Sequence, residues 1–182
     1  GHLYDLLPIP CTQEAVDWVS ARVRQVQDIL GMQISLENAS YYLAPPGAEM
    51  LEQEFISAIV KEADCLLHLD VNNIYVNSQN FGFDPKTYMQ SLPLDKVCYI
   101  HVAGHYTEDD GFLIDTHGAN VIDPVWDLLD FAFENIGPAV AHIPVCLERD
   151  FNFPPLAELK AECDIIRNKQ NKTAQFFKQK SA

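Results

Sequence analysis

Apolar residues recur along this chain in two alternating rhythms. Val16, Val19, Val23, Val26 and Leu30 fall at three- and four-residue steps, the spacing of one helical face. Thr12 stands as the N-cap of that helix, Glu14 in its first turn, and Gly31 as its stop. Short apolar runs bounded by turn residues mark strands at Gln33 to Glu37, Cys65 to Asp70, Val97 to Ala103 and Ile143 to Glu148. Between them lie a helix marked by Leu51, Phe55, Ile59 and Val60, and a turn with a short helix over Phe81 to Pro93. A further helix opens at Asp123-Pro124, read as N-cap plus first helical residue, and runs to Gly137. A final helix opens at Pro154-Pro155 and frays toward Ala182.

The order is four βα units with no hairpin signal between them. It predicts four parallel strands in sequential order, with an open edge before the first. Two folds accommodate it: a doubly wound open sheet, or part of a TIM (β/α) barrel. A whole barrel takes about 250 residues, and this chain has 182. The expectation is a single α/β domain over residues 1–182, the C-terminal part of such a barrel. Residue 1 is Gly, not an initiator Met, so the chain reads as cut from something longer.

The strand ends change the picture. The four runs terminate in Glu37, Asp70, His101 (with His105 four residues on) and Glu148. In parallel α/β folds the C-terminal ends of the strands face the active site. Packing alone does not ask for an ionisable residue there four times in four. Carboxylates gathered without a cation repel and raise one another's pKa values, and a divalent metal removes that conflict. Mixed His and carboxylate donors suit iron, manganese or zinc. Asp115 and His117, two residues apart on the loop after the third strand, add two donors on one side of the backbone. So many donors accommodate two or three ions more readily than one.

Plainer roles compete at single positions. Asp70 and Asp150 can each be a helix N-cap. His68, inside an apolar strand, reads as a core histidine with one hydrogen bond, and His142 as a cap at a strand start on the opposite face. His2 and Asp5 precede the first helix and stand as further candidates near the site. Tyr41, Tyr42, Tyr75, Phe81, Phe83 and Tyr106 fall in loops of the expected active face. They line a pocket for a peptide or sugar, or simply pack the loops.

Composition excludes several classes. The formal charge is −14, and six of the twelve basic residues lie from Lys160 onward, so the rest of the chain repels nucleic-acid phosphates. No apolar run approaches the roughly 20 residues of a membrane span, and no signal-peptide pattern opens the chain. The five cysteines include no C-x-x-C pair. They read as reduced core residues of a cytoplasmic protein. Glycine-rich nucleotide loops and the G-x-S-x-G nucleophile elbow are missing.

The segments Leu-Glu37-Asn38-Ala-Ser, Leu-Asp70-Val-Asn-Asn73, Ile-His101-Val-Ala-Gly-His105, Ile-Asp115-Thr-His117-Gly and Leu-Glu148-Arg-Asp150 resemble those of the multinuclear non-heme iron-dependent oxidative enzymes, which include the iron enzyme of methanobactin biosynthesis. Asp5-Leu-Leu-Pro-Ile-Pro and Asn80 to Pro85 add to the likeness, which runs from about Asp5 to about Ala161. The resemblance implies a TIM barrel similar to the xylose isomerase and apurinic endonuclease group, holding two or three irons. It implies dioxygen-dependent oxidation of cysteine residues in a ribosomally made peptide, helped by a peptide-recognising partner protein. By motif, Glu37, Asp70, His101, Asp115, His117 and Glu148 would be metal ligands. Asn73 stands where endonuclease relatives have a His ligand, and His105 would act in the outer shell or on substrate. The family's earlier barrel strands, with further His ligands, are not in this sequence. Alternatives are a metal-dependent hydrolase or isomerase of the wider superfamily, and a non-catalytic barrel fragment.

Overall fold

A computed structural model describes residues 7–180; His2 and Asp5 lie outside them. The first helix, α1 (Gln13–Leu30), starts where Thr12 Oγ1 accepts the Ala15 amide at 3.2 Å. It ends at Gly31, whose φ of 68° suits a residue without Cβ. There follow β1 (Ser35–Glu37), α2 (Glu52–Ala63), β2 (Leu66–Asp70), α3 (Val71–Phe81), α4 (Pro85–Gln90), β3 (Val97–Ala103), β4 (Tyr106–Thr107), β5 (Leu113–Ile114), α5 (Asp123–Ile136), β6 (Val145–Glu148) and α6 (Leu156–Lys180). The main sheet has the order β1-β2-β3-β6 and every neighbouring pair is parallel, as the sequence predicts.

Side chains alternate across this sheet, and the two faces differ in kind. Leu67, Leu69, Ile100 and Val102 point to the helix side and are fully buried, against Ile74, Leu129 and Phe133 among others. Each such side chain stabilises the fold by roughly 1.5–3 kcal/mol. The other parity carries Glu37, His68, Asp70, Tyr99, His101, Cys146 and Glu148. Register brings these residues level, with Glu37 opposite His68, Asp70 opposite His101, and Ala103 opposite Glu148.

Several elements depart from the sequence expectation. Helix α3 follows β2 without a loop, in a stretch with no helical signal. A small antiparallel hairpin, β4 with β5, stands apart from the main sheet, where no hairpin is expected. Its turn is Glu108-Asp-Asp-Gly111, in which Gly111 N donates to Glu108 O at 2.9 Å. Helix α5 is capped at Ile122, so Asp123 and Pro124 both lie within it. His142 ends a 3-10 turn (Gly137–His142), and the strand begins only at Val145. Helix α6 stays regular as far as Lys180. The five cysteines are all unpaired, but only Cys65 is fully buried.

Candidate metal centre

β1 delivers Glu37 at its last residue, and the next residue fixes it. Asn38 Nδ2 donates to Asp70 O at 2.8 Å, and Asp70 N donates to Asn38 Oδ1 at 2.9 Å. Asn73 Nδ2 donates to Asn38 O and Asn77 Nδ2 to Ala39 O, each at 3.0 Å, while Tyr41 N donates to Asn77 Oδ1 at 3.1 Å. An asparagine ladder thus carries the β1–β2 pairing past the strand ends. It places Asn73, 5% exposed, in the wall that holds the site.

Asp70 does two things at once. Its Oδ1 accepts the Asn73 amide at 2.7 Å and caps α3. Its Oδ2 is buried without a hydrogen bond and lies 3.8 Å from His101 Nδ1. Burial, with Asp115 and Glu37 nearby, pushes this carboxyl up to about 8 despite the Asn73 amide.

His101 Nδ1 stands among three carboxylates: Glu148 Oε2 at 3.0 Å, Glu37 Oε1 at 3.4 Å and Asp70 at 3.8 Å. Glu37, Asp70, His101 and Glu148 each offer one donor atom within 4.8 Å of the others. The same holds for His117, Glu148 and Asp150, and for Glu37, His68 and His101. Glu148 belongs to two of these groups and joins them. Glu37 and Glu148, on opposite flanks of the sheet, therefore share one face and one imidazole.

His117 sits at φ 51°, a strained position for a residue with a side chain. Its Nδ1 faces Asp150 Oδ2 at 3.1 Å, and its Nε2 is 2.8 Å from Asp115 Oδ1 without hydrogen-bond alignment. Burial alone would pull this imidazole down, but Asp115, Asp150 and Glu148 push it up to about 10. Asp115 is itself fixed: Asn72 Nδ2 donates to its Oδ1 at 2.7 Å, Ser40 to its Oδ2 at 2.8 Å, and its own amide donates to Tyr42 OH at 2.9 Å. His105 reaches it only indirectly, through Nδ1 at 2.8 Å from Asn72 Oδ1, and stacks on Tyr75. Burial holds its pKa below the ordinary value.

Gly104 permits this loop. A Cβ there would fall 2.1 Å from Ala119 O and 2.6 Å from Asn120 O. Beneath, Arg149 bonds Asn120 and Glu162, and Glu162 Oε1 accepts the Val121 amide at 2.8 Å. That buried pair ties the ends of β6 and the loop to α6.

Five of the six residues expected as ligands thus fall into linked donor groups, and the sixth, Asp115, adjoins them at His117 Nε2 without belonging to any group. His68 and Asp150 join them. His68 is no hydrogen-bonded core histidine: its Nε2 has no bond, lies 3.9 Å from Glu37 Oε1, and its ring meets His101 edge-on at 4.0 Å. Its strand parity, shared with Asp70, is the signal for that. Asp150 caps no helix, since α6 begins at Leu156. Of the aromatics expected in loops, Tyr75 and Phe81 lie in α3 and Tyr106 in β4; Tyr41 stacks on Phe81 and Phe83 on Tyr88, as packing between elements, whereas Tyr42 and Tyr75 touch the site's own supports.

Residues 1–171 match the MbnB/TglH/ChrH family of RiPP precursor modification enzymes. The chain belongs to this family. A UPF0276 protein of Nitrosospira multiformis is 57% identical over 162 residues, which cover 89% of this chain and 56% of the relative. One from Neisseria meningitidis serogroup C is 52% identical over 179 residues, covering 98% of this chain and 63% of its own. The chain therefore spans little more than half the length of these family members. Among solved structures, the IOLI protein with a bound zinc atom superposes with a TM-score of 0.52 at 18% identity, over 90% of this chain and 56% of that one. That likeness concerns the fold alone, a TIM (β/α) barrel, of which the sheet here presents four βα units.

Proposed function

We propose that this chain carries most of a multinuclear iron centre with which the full-length protein oxidises cysteine residues of a ribosomally made peptide, using dioxygen. The observation that carries the reading is the set of buried donor atoms left without hydrogen bonds, Asp70 Oδ2, His68 Nε2, His101 Nδ1 and His117 Nε2, each within 4 Å of a carboxylate or imidazole of the cluster. Lone pairs gathered in this way suit a cation placed between them. Membership of a peptide-modifying family supplies the substrate class.

Glu37, Asp70, His101 and Glu148 would hold one ion, and Asp115 with His117, whose Nε2 lies 2.8 Å from Asp115 Oδ1, would hold a second. His68 offers Glu37 and His101 a third donor for a further ion. Asp150 would accept the Nδ1 proton of His117 and leave Nε2 free to ligate, the usual outer carboxylate of a metal-bound imidazole. His105 and Asn72 would hold Asp115, so His105 serves as a positioning residue. Iron, when bound, supplies open positions for a thiolate and for dioxygen, and redox steps that zinc lacks. Delivery of the peptide by a partner protein and residence in the cytoplasm belong to the same reading.

Metal analysis of full-length protein purified without oxygen tests it. Two or more irons per chain are expected, with dioxygen uptake dependent on a cysteine-bearing peptide. His117→Ala and Asp115→Asn should abolish that uptake. Zinc-loaded protein that turns over as fast as iron-loaded protein would sink the oxidative reading. It would favour the hydrolytic alternative, to which the zinc of the IOLI structure lends its weight.

A further inference from the structure

A cavity of about 260 Å³ opens directly beside Glu37 and runs between the segment before α1 and the first turn of α2. Leu7, Ile9, Phe55 and Ile56 supply apolar walls. Glu37 and Ser40, both turned to the candidate metal centre, stand on its margin. A second acid also lines it: Glu52. Tyr88 donates to Glu52 Oε2 at 2.9 Å, and the Tyr41 hydroxyl engages the same carboxyl. Among the described residues Glu52 forms no salt bridge, so two phenols hold it and no cation does. A second cavity of about 300 Å³ adjoins on the far side and shares Tyr41 and Glu52 as its wall.

A volume of this size suits a single side chain, being smaller than the roughly 300–1,000 Å³ of small-molecule pockets. Apolar walls ending in an unpaired carboxyl match a long basic side chain, whose methylene stem packs on apolar surface while its head meets an anion. A neutral apolar side chain would fill the walls and leave the carboxyl without a counter-ion. The acidity of the chain, −14 overall, favours a cationic peptide further. We propose that this cavity is a specificity subsite, which takes a lysine or arginine side chain of the peptide close to the residue being modified, with Glu52 as its counter-ion. This rests on the peptide-modifying reading of the metal centre.

The probes are N-acetyl-lysine methylamide and its uncharged counterpart N-acetyl-norleucine methylamide, titrated calorimetrically into zinc-loaded full-length protein at about pH 8.5, where the Glu52 carboxyl is ionised. The lysine compound should bind at least tenfold more tightly. Glu52→Gln keeps an oxygen acceptor for both phenols and should erase the preference. Ala39→Leu, which pushes a side chain into the cavity from its lining, should weaken the lysine compound at least tenfold. Equal binding of the two compounds to the unmodified protein overturns the subsite, as does a preference that survives either substitution. Binding here needs neither iron nor dioxygen. Failure of the oxidation reading would instead appear as absent peptide-dependent dioxygen uptake.

Discussion

Asn38 and Asp70 pair across the ends of two strands as though the Asn38 amide were a further residue of backbone, donating at 2.8 Å and accepting at 2.9 Å. Both are buried, at 2% and 0% exposure, so no water replaces the lost partner. Asn38→Ala should therefore cost about 2–4 kcal/mol, since each buried group left unpaired costs roughly 1–3 kcal/mol. Urea unfolding measures this. Asn38→Asp should fare no better, because a carboxylate cannot donate to Asp70 O. An unchanged midpoint in Asn38→Ala would show that the ladder contributes nothing.

Gly104→Ala should damage the loop that carries Asp115 and His117 more than the sheet. The added methyl meets backbone, at 2.1 Å from Ala119 O, and the loop is anchored by Asp150 N to His117 O at 3.0 Å and by Arg149 to Asn120. Overpacking of this kind costs about 1–3 kcal/mol. Displacing these proposed ligands should lower metal affinity by about 10–100-fold. Metal retention on dialysis against a chelator reads the second effect directly; retention equal to the parent protein would contradict it.

Loading metal into metal-free protein at pH 7 should release protons. Asp70, pushed to about 8, and His117, pushed to about 10, are both mostly protonated at that pH without a cation. Ligands must shed their protons to bind, so about two protons per chain should appear in a weakly buffered zinc titration. A release near zero at pH 7 would mean that neither group ligates. Above pH 10 the release should vanish.

Glu52 links stability to pH in an unusual direction for an acid. Burial raises its folded pKa to about 7, despite the Tyr88 and Tyr41 hydrogen bonds, from an ordinary 4.5. A carboxyl raised on folding contributes stability below its unfolded pKa and loses it as pH rises through the folded one. Between pH 4.5 and 7 it should cost roughly 2–3 kcal/mol, after allowance for its partial exposure. Glu52→Gln should remove that slope. Parallel pH–stability curves for the two proteins in this window would refute the assignment.

The strand ends were legible because apolar runs stopping at Glu37, Asp70, His101 and Glu148 defy packing logic. Helix α3 was not. Its sequence, Val71-Asn-Asn-Ile-Tyr-Val-Asn-Ser-Gln-Asn-Phe81, is rich in β-branched residues and asparagines, which disfavour helix. It forms because Asp70 caps it and because Asn73 and Asn77 bond the neighbouring loop. Those partners are distant in sequence, so no local pattern announces them. His68 was legible in principle, since alternation puts it on the face of Asp70. The apolar run around it, Cys-Leu-Leu-His-Leu, masked that alternation. The hairpin carried an Asp110-Gly111 turn signal, obscured by strands only two residues long.

The Arg149–Glu162 tie has a bearing on how this site can change over evolutionary time. Arg149 and Glu162, with side chains 4% and 11% exposed, bind the β6 end, the Asp115–Val121 loop and the last helix into one mechanical block. A substitution anywhere in that block disturbs three elements together, since removing one partner of a buried pair costs about 3–5 kcal/mol. The loop of residues 43–48, between β1 and α2, is mostly exposed and holds none of the ion pairs of the described residues. Drift is therefore cheap in that loop and expensive in the block. Related chains should differ most in that single loop, while the block beneath the candidate metal centre stands still.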